Sequence, residues 1–165
     1  MKSILFLIAF LSAFFVNAQN MTNTKMDRIL HTEATNVEGE TGVWQIMYGG
    51  RLLLVITDST ANRMRIFTPV LETRDLEPGQ KEKMLEANFH SALDAKYSLY
   101  QGFVMSAFTH PLKELTEEQL KDALKQVFVL AETFGTAYQS TDLIYGSGQE
   151  SEEPKINQSP KEKKN

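Results

Sequence analysis

The sequence predicts an α+β domain, an antiparallel sheet with helices in the order α-β-β-β-α-β-β-α. Three observations carry this. Gly49-Gly50 parts two runs rich in β-forming residues, a strong two-residue hairpin signal. Thr116 and Gln119 form a capping box ahead of a helical apolar repeat. About 120 residues lie between an apolar leader and a polar tail, the size of one domain.

The leader comes first. Lys2 precedes Ile4 to Val16, thirteen residues that are apolar apart from Ser12. That length suits a secretory signal and falls short of the ~17 residues that cross a bilayer. Val16-Asn17-Ala18 places short residues before a cleavage site at Gln19. Residues 1–18 are therefore expected to be a removed signal peptide, which makes the protein exported, periplasmic or extracellular, with no membrane span after cleavage. The alternative is an uncleaved anchor. The chain has no Cys, so no lipid-attachment cysteine follows the leader. Residues 19–145 are the expected domain. Residues 146–165 hold a single Ile, no aromatic residue and balanced Glu and Lys, and are expected to be a disordered polar tail.

Within the domain, Thr24 with Asp27 resembles a capping box, and Met26, Ile29, Leu30, Ala34 and Val37 follow at helical spacing until Gly39 and Gly42. Val43 to Tyr48 and Arg51 to Thr57 are the first hairpin, and Arg63 to Val70 alternates as a third strand with Pro69 at its end. Pro78 opens a second helix whose inner stripe is Met84, Leu85, Asn88, Phe89 and Ala92. Ala95 to Tyr100 and Phe103 to Phe108 form a hairpin around Gln101-Gly102. In the third helix Leu120, Leu124, Val127, Ala131, Phe134 and Tyr138 repeat at helical spacing, with Leu115 and Leu120 placed as a hydrophobic staple. Eleven of residues 120 to 138 are apolar, more than one sheet face covers. Phe128 and Leu130 are thus candidates for a homodimer surface, the alternative being burial under helix one.

Composition removes several functions. The chain has 17 Lys+Arg against 21 Asp+Glu, a net charge of −4; without Lys2 the balance is 16 against 21, or −5. That argues against a nucleic-acid partner, which needs a basic face. The absence of Cys also excludes disulfides, zinc-thiolate sites and thiol nucleophiles. No phosphate-cradling glycine loop, Gly-x-Ser-x-Gly elbow or His-Glu-x-x-His is present, and His31, His90 and His110 have no ligand spacing. No cofactor, metal or catalytic residue is expected.

The candidate site is a partner-binding sheet face. Across Gly49-Gly50, Tyr48 opposes Arg51, Ile46 opposes Leu53 and Trp44 opposes Val55. The other face then carries Val43, Met47, Leu52, Leu54 and Ile56, suited to covering by helices. An odd-length loop at Asp58 to Asn62 sets Met64 opposite Ile56. The even register would press Arg63 and Arg65 against Ile56 and Leu54 on that covered face, an expensive burial of guanidiniums. The expected partner-binding face is therefore Trp44, Tyr48, Arg51, Arg63, Arg65 and Phe67, aromatics and Arg being enriched in interface hot spots. The alternative is a solvated face with Arg stacked on aromatics.

Several stretches carry a resemblance: Gly42-Val43-Trp44, Asn62-Arg63, Asp94-Ala95-Lys96-Tyr97, Phe108-Thr109-His110-Pro111-Leu112 and Leu115-Thr116-Glu117-Glu118-Gln119-Leu120. With the element order, they resemble class I type III secretion chaperones and the related YbjN-type bacterial sensory transduction regulators, over Thr24 to Tyr145. The resemblance implies a homodimer that binds protein segments without cofactors. Such chaperones serve cytosolic effectors, whereas this chain carries an export signal, so the client role does not transfer. Three functions stay open: an exported chaperone-like module binding a protein or peptide, a periplasmic hydrolase with an unrecognised site, and a structural envelope protein.

Overall fold

The computed structural model describes residues 20–143; the expected signal peptide and polar tail lie outside the described residues. In chain order the elements are α1 (Asn23–Glu33), β1 (Asn36–Glu40), β2 (Val43–Tyr48), β3 (Arg51–Asp58), β4 (Arg63–Glu72), a 3-10 turn (Thr73–Asp75), α2 (Gln80–His90), β5 (Lys96–Tyr100), β6 (Phe103–His110) and α3 (Glu117–Glu132). The strands form one antiparallel sheet, β1-β2-β3-β4-β6-β5. The predicted order holds, with one edge strand added.

That strand is β1, where the helical pattern was expected to run on to Val37. Ala34 is already extended, and the Thr35 N–H bonds to the Met47 carbonyl at 3.0 Å, starting the pairing with β2. The N-cap of α1 is Thr22, whose hydroxyl accepts from the Lys25 N–H, rather than Thr24. Asp27, read as a capping partner, instead accepts from the Trp44 indole at 2.8 Å.

Both glycine hairpins form as predicted. Gly49 and Gly50 have positive φ, as do Gln101 and Gly102, the geometry that matches the twist of paired strands. At α3, Thr116 accepts from the Gln119 N–H at 3.1 Å and Gln119 returns the bond at 2.9 Å, while Leu115 and Leu120 are both buried.

The core lies between the helices and one sheet face. Trp44, Ile46, Leu53, Val55, Met64 and Ile66 point into it against Met26, Leu30, Leu120, Leu124 and Val127. Buried hydroxyls tie α3 to the sheet: Ser106 donates to the Val127 carbonyl at 2.9 Å and Tyr97 to the Leu130 carbonyl at 2.6 Å. Burial pushes the Tyr97 phenol well above its ordinary pKa, partly opposed by a bond with Thr133 and reinforced by nearby Tyr138.

Helix α3 ends at Glu132, before the apolar repeat does. Phe134 and Tyr138 belong to a return segment that packs on Tyr97, with ring centroids 5.7 and 6.0 Å away. Thr133 holds this segment by accepting from the Gln139 N–H and donating to the Gln139 carbonyl. The wide apolar surface of α3 is thereby used within the chain. Leu130 is fully buried, and Phe128 lies edge-on to Tyr48 at 5.7 Å, over Gly49. The expectation that Leu130 faces a dimer partner is corrected accordingly, while Phe128 stays half-buried against Tyr48.

Candidate functional site on the open sheet face

The sheet has a second apolar face, and among the described residues no helix covers it. The loop from β3 to β4 is the even-length Ser59–Asn62, because Asp58 pairs with Arg63. Asp58 Oδ1 accepts from the Ala61 N–H at 2.8 Å and Asn62 takes φ 54°, which closes the four-residue turn. Ile56 therefore opposes Arg65 and Leu54 opposes Phe67, the register that sequence reasoning rejected. The cost that motivated the rejection does not arise. The face is open, so Arg63 and Arg65 stay exposed while their apolar neighbours are left half-exposed.

This register divides the six predicted partner-binding residues. Arg63, Arg65 and Phe67 lie on the open face. Trp44, Tyr48 and Arg51 lie on the helix side, which corrects their assignment. Trp44 is 2% exposed and part of the core. Tyr48 packs on Phe128, and burial, followed by the Glu33 charge, raises its pKa. Arg51 pairs with Glu132, its Nη2 2.6 Å from Oε1, and donates to the Pro69 carbonyl at 3.1 Å. The residues expected under helices are instead the exposed ones: Val43 is 53% and Leu52 42% exposed, with Met47, Leu54 and Ile56 half-buried.

Strand pairing orders the open face into rows. One runs Glu38–Gln45–Leu54–Phe67–Ala107–Lys96 across all six strands. The next runs Glu40–Val43–Ile56–Arg65–Thr109. Towards β5 the face is concave, with a cavity of about 550 Å³ floored by Ile56, Phe67, Met105 and Ala107. Its cations are held in place. Arg65 Nε donates to Thr109 Oγ1 at 3.0 Å, and Lys96 Nζ donates to the Asn88 and Leu93 carbonyls beyond the end of α2. Among the described residues neither has a carboxylate within salt-bridge distance, so both keep unused donors. An apolar floor with a few oriented polar groups is the ordinary make-up of a binding site.

Sequence reasoning missed Lys96, Leu54, Ile56 and Met105 as site residues. The signal was in β3, where Leu52 to Ile56 is apolar at five consecutive positions and so apolar on both faces. His31 bonds the Asp27 carbonyl, His90 stands exposed beside Phe89, and His110 stacks on Phe108. Among the described residues no group of three or more His, Asp or Glu could hold a metal, and no helix is long and apolar enough to cross a membrane.

The fold thus defined is similar to that of chains in two solved complexes, one of them a chaperone–effector complex. A chain of the ExsC–ExsE complex superposes with a TM-score of 0.52 at 14% identity, covering 68% of this chain and 92% of its own. A chain of the HopA1–SchA chaperone–effector complex gives 0.52 at 13% identity, covering 68% and 94%. No family model and no curated protein matches the chain, so the likeness to YbjN-type regulators rests on the quoted sequence stretches alone.

Proposed function

We propose that this chain is an exported, non-enzymatic, chaperone-like module that binds a protein segment on its open sheet face. The observation that carries this is the uncovered apolar patch of Val43, Leu52, Leu54, Ile56 and Phe67, bordered by exposed charge. The chaperone–effector neighbours support a protein partner, and the leader supports export. The test is capture from an envelope fraction with wild-type protein and with Leu52→Asp. Position 52 is exposed enough to accept the charge without unfolding the domain. Partners lost by the variant support the reading, and an unchanged partner set overturns it. N-terminal mass spectrometry of the native protein should find Gln19, and an intact Met1 in the envelope fraction removes export from the proposal.

A homodimer belongs to the same reading, on a different surface from the one expected. Leu85 and Phe89, one turn apart on α2, are 69% and 78% exposed, and Leu99 and Tyr100 at the β5 edge are 51% and 61% exposed. Light scattering of the wild type and of Phe89→Asp distinguishes the cases: a dimer mass that Phe89→Asp halves supports this surface, and a wild-type monomer overturns it.

A further inference from the structure

The open face is polarised across its strands, and we infer that it selects an extended peptide segment basic at one end, apolar in the middle and acidic at the other. This deepens the proposed function and rests on it. Both fully paired rows begin with a carboxylate on β1, Glu38 or Glu40. Both pass through apolar residues, Leu54 and Phe67 or Val43 and Ile56, and both reach a cation, Lys96 or Arg65. Glu38, Glu40, Arg65 and Lys96 form no salt bridge among the described residues. The lining of the cavity at the cationic end includes one carboxylate, Asp94, against Arg65 and Lys96.

Dimensions suit an extended peptide. Five inter-strand gaps of ~4.8 Å span about 24 Å, the length of roughly seven extended residues. Side chains facing the sheet then recur every second residue, placing a cation, two apolar groups and a carboxylate in line. The rows occupy about 14 Å along the strands. The resulting strip of ~350 Å² has the footprint of a single extended segment, within a wider open face that continues to Met47 and Leu52.

The experiment measures fluorescence anisotropy of three labelled heptapeptides on the full mature chain. They are Lys-Ser-Leu-Thr-Leu-Ser-Glu and versions with Lys or Glu at both ends. The mixed peptide should bind about tenfold more tightly than either single-sign version, with the preference falling as salt rises. Arg65→Glu should reverse the order, so that the version with Lys at both ends binds best. Arg65 is exposed and its side-chain hydrogen bond is to Thr109, so the variant should fold; Glu40→Lys at the opposite edge is the second variant and should favour the version with Glu at both ends. Equal binding of all three peptides overturns the polarity and leaves the protein-binding reading standing. No binding of any peptide overturns both. A dimer in light scattering that Arg65→Glu dissociates makes a second copy the occupant and overturns the inference.

Discussion

Replacing Gln126 by Leu should loosen the domain at the point where α3 meets the loop before β5. Gln126 is fully buried in the middle of α3. Its Oε1 accepts from the backbone N–H groups of Asp94 at 3.0 Å and Ala95 at 3.1 Å, and its Nε2 donates to Asp122 Oδ2 at 2.6 Å. Leu fills a similar volume and accepts nothing. The Ala95 N–H is then buried without a partner, which costs about 1–3 kcal/mol, and the Asp94 N–H, nearer water, costs less. A net loss of about 2–3 kcal/mol corresponds to a Tm fall of roughly 8–12 °C for a domain of this size. Circular dichroism gives the melting curve, and fluorescence of Trp44, the single tryptophan, reports the core directly. Gln126→Glu is the informative companion, because it keeps an acceptor but faces Asp122 with like charge. The folded pair then has a raised pKa. Its stability is whole below the unfolded carboxylate value and declines as pH rises through the folded one, so this variant should recover on acidification. If Gln126→Leu melts within ~2 °C of the wild type, the bonds to Asp94 and Ala95 do not hold the loop.

Two other perturbations check different parts of the structure. At Gly49, with φ 58°, an added Cβ would lie 2.6 Å from Phe128 Cζ, so Gly49→Ala should cost about 1–3 kcal/mol in urea denaturation. Phe128→Ala should relieve much of that, and strict additivity in the double-mutant cycle would refute the contact. The Glu114 carboxyl is held below the usual carboxylate range, chiefly by the Asn62 amide, which donates to it at 2.8 Å. That contribution is present above the unfolded pKa and lost as pH falls through the folded one. An NMR titration should find the depressed value and its return upward in Asn62→Ala; an unmoved value would mean Asn62 is not the cause.

Local signals in the sequence were dependable where one residue type decides the geometry. Gly49-Gly50 and the Thr116–Gln119 box fall where expected because positive φ and reciprocal capping need those residues and little else. Face assignment failed at a non-local step. Loop parity at Ser59–Asn62 depends on an Asp58 side-chain bond and a left-handed Asn62, neither visible as a pattern. The error then propagated through a reasonable premise, that the purely apolar face must be the covered one. Both faces of β3 are apolar, and the face with Trp44 is the one the helices pack on, where Asp27 of α1 accepts from its indole. Arg63, Arg65 and Phe67 were legible as surface, whereas Lys96 joins them only through the β6–β5 pairing. The surplus apolar surface of α3 was read correctly as needing cover. That cover comes from the sheet and from α1, while the return segment, turning at Thr133 and Gly135 without a periodic signal, packs on Tyr97.

Asn88 has an effect on how the sheet can meet other chains. Its side-chain amide donates to the Tyr97 carbonyl at 3.0 Å and accepts from the Tyr97 N–H at 2.7 Å, the same pair of bonds a neighbouring strand would make. A single side chain thus takes the place of a neighbouring strand at Tyr97 on the β5 border. The opposite border, β1, is five residues long and carries Glu38 and Glu40, which resist pairing with acidic chains. The two borders therefore meet a further strand on different terms, one through a side-chain amide already in place and the other through carboxylates.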